Sequence, residues 1–374
     1  YVGQSLGGPF SNLIVFGDSL SDVGNISYAS FKTNPGPYYA DGRFSNGPIY
    51  AESLATGLGL PALTRSTAGG NDYAFGGAQT TGTKGGQGLF INDVDEQVSK
   101  YLSAHNGASD ALYVVFAGAN DFLNGQTNVS VPLNSLAGSI NRLVAGGARQ
   151  FLVFNLPPLG DTPKYNGNAS TESQYNLLTQ QFNAGLGTML AGMQSGNPAI
   201  NVFQFDTYGL FEQVLANPAG FGLTDVTNSA APGLTTGTAH YDTSQEAPNP
   251  DQYLFWDDVH PTTAVHAILA QRALDLFRLP GDFNGDGVVD GADYIVWREG
   301  QSPSHIPDDY NVWRSHFGQT AGNVAGAEDF ADVPEPTSGV LISLFLVFVR
   351  SPSIAVRVVA ARNRADVNAC GAEW

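Results

Sequence analysis

An apolar run, Leu13-Ile14-Val15-Phe16, stops at Gly17-Asp18 and delivers Ser19 to the loop that follows. Four apolar residues closed by a turn signal read as a buried parallel strand. In open α/β sheets ligands bind beyond the carboxyl ends of the strands, which is where Ser19 would stand. A serine there can act as a nucleophile if a base, an orienting acid and oxyanion donors stand elsewhere in the chain.

Phe255-Trp256-Asp257-Asp258-Val259-His260-Pro261 supplies the first two. Asp257 and His260 are three apart, so within one turn they lie on the same face in reach of each other. Asp257 would accept from Nδ1 and leave Nε2 to take the Ser19 proton. Alone, the pair also suits a helix-capping aspartate beside a surface histidine. Two small-residue segments offer donors. Val114–Phe116 is another strand that runs into Ala117-Gly118-Ala119-Asn120-Asp121, and an Asn120 amide at the same sheet edge could donate to a developing oxyanion. Asn71–Ala78 carries Gly76 and Gly77, where a backbone N–H can be approached without obstruction. Each segment alone is also ordinary turn chemistry. The string Gly3-Gln4-Ser5-Leu6-Gly7 matches G-x-S-x-G but has no strand before it, so the required elbow is missing. His105, His240, His266, His305 and His316 have no companion at metal-ligand spacing and read as surface or core residues.

A second chemistry is spelled by Asp282–Asp293, which opens D-x-N-x-D-G like an EF-hand loop. Its ligands to a calcium ion would be Asp282, Asn284, Asp286, the Val288 carbonyl, Asp290 and Asp293, with Gly287 giving the sharp turn. The last position is Asp, shorter than the usual bidentate Glu. Asp293-Tyr294-Ile295-Val296-Trp297-Arg298 recurs sixteen residues on as Asp309-Tyr310-Asn311-Val312-Trp313-Arg314, an internal repeat that suggests two similar short helices. The second copy lacks the acidic loop, so one ion is expected.

The elements that must position these residues are visible as periodicity. Strand-like runs recur at Leu13–Phe16, Leu112–Phe116, Phe151–Asn155 and Asn201–Phe205, separated by helical spacing such as Val131–Leu143 and Ser173–Met193. A further helix is expected from near Pro261 through Phe277. Strands alternating with helices suggest βαβ units and a parallel sheet covered on both faces. Residues 217–252, rich in Gly, Pro, Thr, Asn and Ser, read as one long pocket-shaping loop. With 42% hydrophobic residues in 374 the chain can bury a large core. Its 34 acidic against 16 basic residues, net charge −18, argue against a nucleic-acid partner. One cysteine, Cys370, excludes an intrachain disulfide and a cysteine zinc site. A chain starting at Tyr1 fits a processed N-terminus.

Gly17-Asp18-Ser19-Leu20, a glycine segment at 69–80, Gly118-Ala119-Asn120-Asp121 and Asp257-Asp258-Val259-His260 stand in the block order of the GDSL esterases and lipases, or SGNH hydrolases, which the chain resembles over residues 12–278. Ser19–Asn25, Gly42–Gly47 and Asn155–Gly160 are similar to its extracellular lipase-like branch. The resemblance implies a flavodoxin-like three-layer α/β/α fold with a central parallel sheet. It implies a Ser19–His260–Asp257 triad and an oxyanion hole of Ser19, Gly77 and Asn120, with Gly77 matching better than Gly76. No cofactor is needed for that chemistry. The two repeats at 281–318 resemble a dockerin type I module, which implies a small helical calcium-loop unit and a cohesin-like or cell-surface partner. Residues 1–11 form a lead-in and 319–332 a linker. Val333–Arg350, with Pro334-Glu335-Pro336, resembles a PEP-CTERM sorting signal that implies an extracellular address, and 351–374 is a tail without an assigned role. The expected activity is hydrolysis of acyl or lipid esters. The alternatives are a polysaccharide acetylesterase and, in another class, a calcium-dependent cell-surface binding protein with a vestigial hydrolase domain.

Overall fold

The computed structural model describes residues 10–82, 90–300 and 309–320. The chain divides into two units, Tyr1–Gly322 and Asn323–Trp374. The lead-in through residue 9, His305, most of the linker, the sorting-like segment and the tail lie outside the described residues.

β1 (Leu13–Gly17), β2 (Leu112–Phe116), β3 (Gln150–Phe154) and β4 (Asn201–Phe205) form one parallel sheet in that order. β1 and β2 are buried along their whole length, as unbroken apolar runs require. β4 is the edge, and its Asn201 and Gln204 face solvent. A fifth position was not apparent in the sequence. Residues 71–75 run beside the free edge of β1: Val15 N donates to Asn71 O (3.1 Å), Tyr73 N to Val15 O (2.8 Å) and Phe75 N to Gly17 O (3.2 Å). With this segment counted second, the order is 2-1-3-4-5, the doubly wound arrangement whose ligands sit at the carboxyl ends of the strands.

Helices follow in chain order: α1 (Asn25–Ala29), α2 (Tyr50–Gly57), α3 (Val94–Ala104), α4 (Ala119–Leu123), α5 (Ser130–Gly146), α6 (Ala169–Gly196), α7 (Thr207–Ala216), α8 (Thr263–Asp275), α9 (Gly291–Arg298) and α10 (Asp309–His316). The expected helices at 131–143 and 173–193 are longer, running Ser130–Gly146 and Ala169–Gly196. The one expected from Pro261 to Phe277 is shorter at both ends. Strand alternation shows how the layers form. Tyr113 of β2 points to one face and meets Tyr101 of α3, while Phe116 points to the other and meets Tyr50 of α2. Helix α2 packs with α8 on that second face, and α3 packs with α5 and α5 with α6.

The segment 217–252 is not a structureless loop. It holds short 3-10 turns at Pro218–Phe221 and Thr243–Gln245, and β5 (Asp225–Ser229), which pairs in parallel with β6 (Tyr253–Phe255). Ala230 N and Ala231 N donate to Phe255 O and Trp256 O. Tyr39, Ala230, Ala231, Leu234 and Trp256 close there into a satellite core. That cluster holds the chain in place just before Asp257.

The repeated helices α9 and α10 face each other through Tyr294, Trp297, Tyr310 and Trp313. Trp313 Nε1 donates to the Asp290 carbonyl (2.7 Å), tying the second repeat to the acidic loop of the first.

Candidate active site

Gly17 ends β1 because nothing larger fits: a Cβ there would lie 2.4 Å from the Phe116 carbonyl oxygen of β2. The chain then turns, with Leu20 N donating to Asp18 Oδ1 (3.1 Å), and Ser19 emerges buried at the sheet's carboxyl edge. Ser19 Oγ lies 2.9 Å from His260 Nε2, and His260 Nδ1 lies 2.7 Å from Asp257 Oδ2. The Asp257–His260 stretch is a bend between β6 and α8, not a helical turn. Asp257 Oδ1 accepts from Val259 N (2.9 Å) and His260 N (2.7 Å), and Trp256 N donates to His260 O (2.7 Å). The spacing of three therefore works through a side-chain-closed turn, which folds the aspartate back onto the imidazole.

Burial works against the charge of Asp257, but the His260 imidazole, the Tyr39 hydroxyl and backbone N–H groups outweigh it and hold the carboxyl below its ordinary range. Burial likewise pulls His260 down, and the adjoining Asp257 carboxylate overrides it, so His260 is a stronger base than free imidazole. An Nε2 with raised basicity, hydrogen-bonded to a serine hydroxyl, can take that proton as the oxygen attacks a carbonyl.

Ser19, Gly77, Asn120 and His260 all line one cavity of about 520 Å³. Gly77 has φ +80°, a conformation strained for any side chain. The neighbouring Gly76 is committed elsewhere, its N–H donating to Asp22 Oδ2 (2.8 Å). The geometry thus separates the two glycines that the sequence left adjacent. Asn120 Nδ2 donates to Ala78 O (3.0 Å), which draws the amide against the glycine turn.

Residues that the sequence did not single out hold this turn from both sides. Asp22, three past Ser19, also accepts from the backbone N–H of Gly24, Asn25 and Ile26, so one carboxylate joins the serine's loop to Gly76. Asp121 accepts from Thr80 N (2.9 Å) and Thr80 Oγ1 (2.8 Å), joining the Asn120 helix to the other end of the turn. Burial pushes both carboxyls up to about 6. Burial also raises Asp18, beside the nucleophile position, to about 7. Gln97 accepts from Gly17 N and donates to Gly17 O, pinning the end of β1 from α3. The signal for these groups was present as acidic and amide residues beside the motifs, but their partners lie 41–80 residues away in sequence.

Phe44, Phe116, Phe211 and Leu269 give the cavity an apolar side, while Asn34, Lys164 and Asp258 bring polar groups to it. The segment 217–252 contributes only Thr235 and Thr236 to the lining. His266 is a core residue, as expected. Burial depresses it to about 3, and its Nδ1 accepts from Tyr50 N (3.2 Å).

The candidate calcium loop is folded by its own side chains. Asp282 accepts from the N–H groups of Gly285, Asp286 and Gly287, and Asp293 from those of Asn284 and Asp290. Asp282 and Asp293 are buried. Burial raises Asp282, and the charges of Asp293 and Asp286 raise it further. An all-oxygen donor set suits a hard cation, though only Asp282 and Asp293 of it are buried while Asn284 and Asp286 are exposed. Among the described residues, however, no three His, Cys, Asp or Glu side chains converge to hold a metal.

A serine, a histidine and an aspartate meeting at the carboxyl edge of a parallel sheet form a serine-hydrolase type of site on an α/β fold. The chain belongs to the GDSL-like lipase/acylhydrolase family, whose model matches residues 13–273. It is 29% identical over 307 residues to a phosphatidylcholine-sterol acyltransferase of Aeromonas hydrophila, covering 71% of this chain and 89% of that one. It is 28% identical over 320 residues to a GDSL esterase/lipase of Arabidopsis thaliana, covering 70% and 87%. Among solved structures, a lipolytic protein of the G-D-S-L family from Veillonella parvula superposes with TM-score 0.41 at 15% identity, covering 71% of this chain and 98% of that one. An acetyl xylan esterase of Geobacillus stearothermophilus gives 0.39 at 14% identity, covering 72% and 96%. The protein is a serine ester hydrolase with the α/β fold of its family.

Proposed function

We propose that Ser19 is the nucleophile, His260 the general base and acid, and Asp257 the group that orients and steadies the imidazolium. The observation that carries this reading is the continuous relay at 2.7 and 2.9 Å opening on the cavity. Ser19 Oγ attacks the ester carbonyl as its proton passes to His260 Nε2. The backbone N–H groups of Ser19 and Gly77 and the Asn120 amide receive the oxyanion. His260 returns the proton to the leaving alcohol, and water resolves the acyl-enzyme by the same path. Asn120→Ala is expected to lower kcat on a p-nitrophenyl ester about 10²–10³-fold with KM little changed. An unchanged kcat would remove Asn120 from the oxyanion hole.

The substrate is an acyl or lipid ester whose chain lies along the Phe116, Phe211 and Leu269 side of the cavity. A panel of p-nitrophenyl esters from acetyl to long acyl chains, beside acetylated xylan, tests this. Cleavage extending past acetyl supports it, and acetate release from xylan alone contradicts it. The relay's order also speaks against a vestigial domain in a binding protein.

The loop at 282–293 is proposed to hold one structural calcium through Asp282, Asn284, Asp286, the Val288 carbonyl, Asp290 and Asp293. What supports this is the two buried carboxylates and the packing of the repeat through Trp313. Loops of this kind in extracellular modules fill at millimolar calcium, in keeping with an extracellular or cell-surface location and a cohesin-like partner for the repeats. Adding 10 mM calcium, roughly 10–100 times such a dissociation constant, should stabilise the native state by about 1.4–2.7 kcal/mol. The rise is read as Tm with and without chelator and should vanish in Asp282→Asn. An equal Tm in calcium and chelator would contradict the assignment.

A further inference from the structure

Asp257 Oδ2 carries a second hydrogen bond beside that of His260. The Tyr39 hydroxyl donates to it at 2.6 Å, across 218 residues of sequence. With Val259 N and His260 N on Oδ1, the buried carboxylate takes four donors, and Tyr39 alone shares an oxygen with the imidazole. Tyr39 is itself held rigidly. It is 5% exposed, sits in the cluster with Ala230, Ala231, Leu234 and Trp256, and its ring lies 6.1 Å from that of Phe44, which in turn lies 5.1 Å from the His260 ring. Burial and the Asp257 charge push Tyr39 ionisation far up, so it remains a donor at any working pH. It is not among the residues lining the cavity.

We propose that Tyr39 is a positioning residue of the Ser19–His260–Asp257 site, fixing the Asp257 rotamer and withdrawing negative charge from the oxygen that faces His260. The proposal rests on the triad reading. Two effects follow. The carboxylate cannot swing away from Nδ1, so Nε2 stays aimed at Ser19. Its hold on a proton at His260 is also weaker than an unshared carboxylate's would be, so the imidazole is neutral, and able to act as base, down to lower pH. Other charges facing the pair come from several elements. Asp258 follows Asp257, with Lys164 acting on it. Asp18 stands on the serine's turn with Asp121 near it, and His266 on α8 senses His260. None of these is altered by removing the Tyr39 oxygen.

Tyr39→Phe keeps the ring in its cluster and deletes only the donor. The pH profile of kcat/KM on a p-nitrophenyl ester is the test. The expected result is an acid limb moved up by about 0.5–1 unit, with kcat at the plateau down several-fold to about tenfold and KM unchanged. The imidazole proton shared with Asp257, followed by NMR, should shift in the same variant. A profile that stays in place overturns the proposal, whether kcat is unchanged or simply lower, since a merely structural loss would not move it. If Tyr39→Phe does not fold, Tyr39→His, which restores a donor in the same cluster, should recover the acid limb toward wild type, and failure to do so counts against the proposal. An active Ser19→Ala protein would instead sink the triad reading itself.

Discussion

Ser19→Ala is expected to lower kcat on a p-nitrophenyl ester by about 10⁶-fold, leaving only the rate that binding and oxyanion donors give to direct attack by water. Nothing else about the protein should change. Ser19 is 8% exposed, and Ala removes only the oxygen held by His260 Nε2. The serine and histidine act as one unit, so Ser19→Ala/His260→Ala should be no slower than Ser19→Ala alone. A double variant a further thousandfold down would mean that His260 works on something besides the serine.

Asp257→Asn is expected to cost about 10⁴-fold in kcat with the fold intact. The amide matches the carboxylate in shape but not in charge, and it offers an N–H where His260 Nδ1 and Tyr39 both need an acceptor. The imidazole is driven to the wrong tautomer or loses its bond, and the imidazolium formed during attack loses the nearest carboxylate that stabilises it. Measurement of kcat between pH 6 and 9 distinguishes this from a pKa change alone. A variant whose acid limb moves down while its plateau kcat stays at the wild-type level would show that Asp257 sets only the basicity of His260. Without Asp257, burial is opposed only by the weaker pulls of Asp258 and Asp18, so the His260 pKa falls and the acid limb of any residual activity should move down.

Much of the sheet was legible because buried parallel strands cannot hide: Leu13–Phe16 and Leu112–Phe116 are apolar on both sides. The segment at 71–75 escaped notice for the opposite reason. It pairs with β1 along one edge, and Asp72 is buried there by hydrogen bonds to Val23 N and Asn25 Nδ2 rather than by apolar contact. Composition therefore reads it as a turn. The same limit applies to β5, whose Asp-Val-Thr-Asn-Ser has no strand pattern and which is fixed by pairing with Tyr253–Phe255 and by Asn166 on the Thr227 carbonyl.

At the site, local spacing announced Ser19 and the Asp257–His260 turn, since these rest on chemistry within a few residues. It could not announce Tyr39, Asp22 or Asp121, whose partners are set by how distant loops meet over the sheet edge. Spacing alone left Gly76 and Gly77 open, and only the family resemblance favoured Gly77. That choice depends on the Asp22 carboxylate, which takes the Gly76 N–H and leaves Gly77 at the cavity wall.

The central claim, that Ser19 is the atom-bearing nucleophile of an ester hydrolase, is tested most directly by covalent capture. An alkyl fluorophosphonate reacts with a serine only where a base removes its proton and donors hold the resulting oxyanion. Incubation with the intact protein, followed by digestion and mass spectrometry, should give one adduct, on Ser19, with activity lost in proportion to labelling and no adduct in His260→Ala. Full inactivation with the label on another residue, or an unlabelled Ser19 in a protein that still cleaves esters, would contradict it.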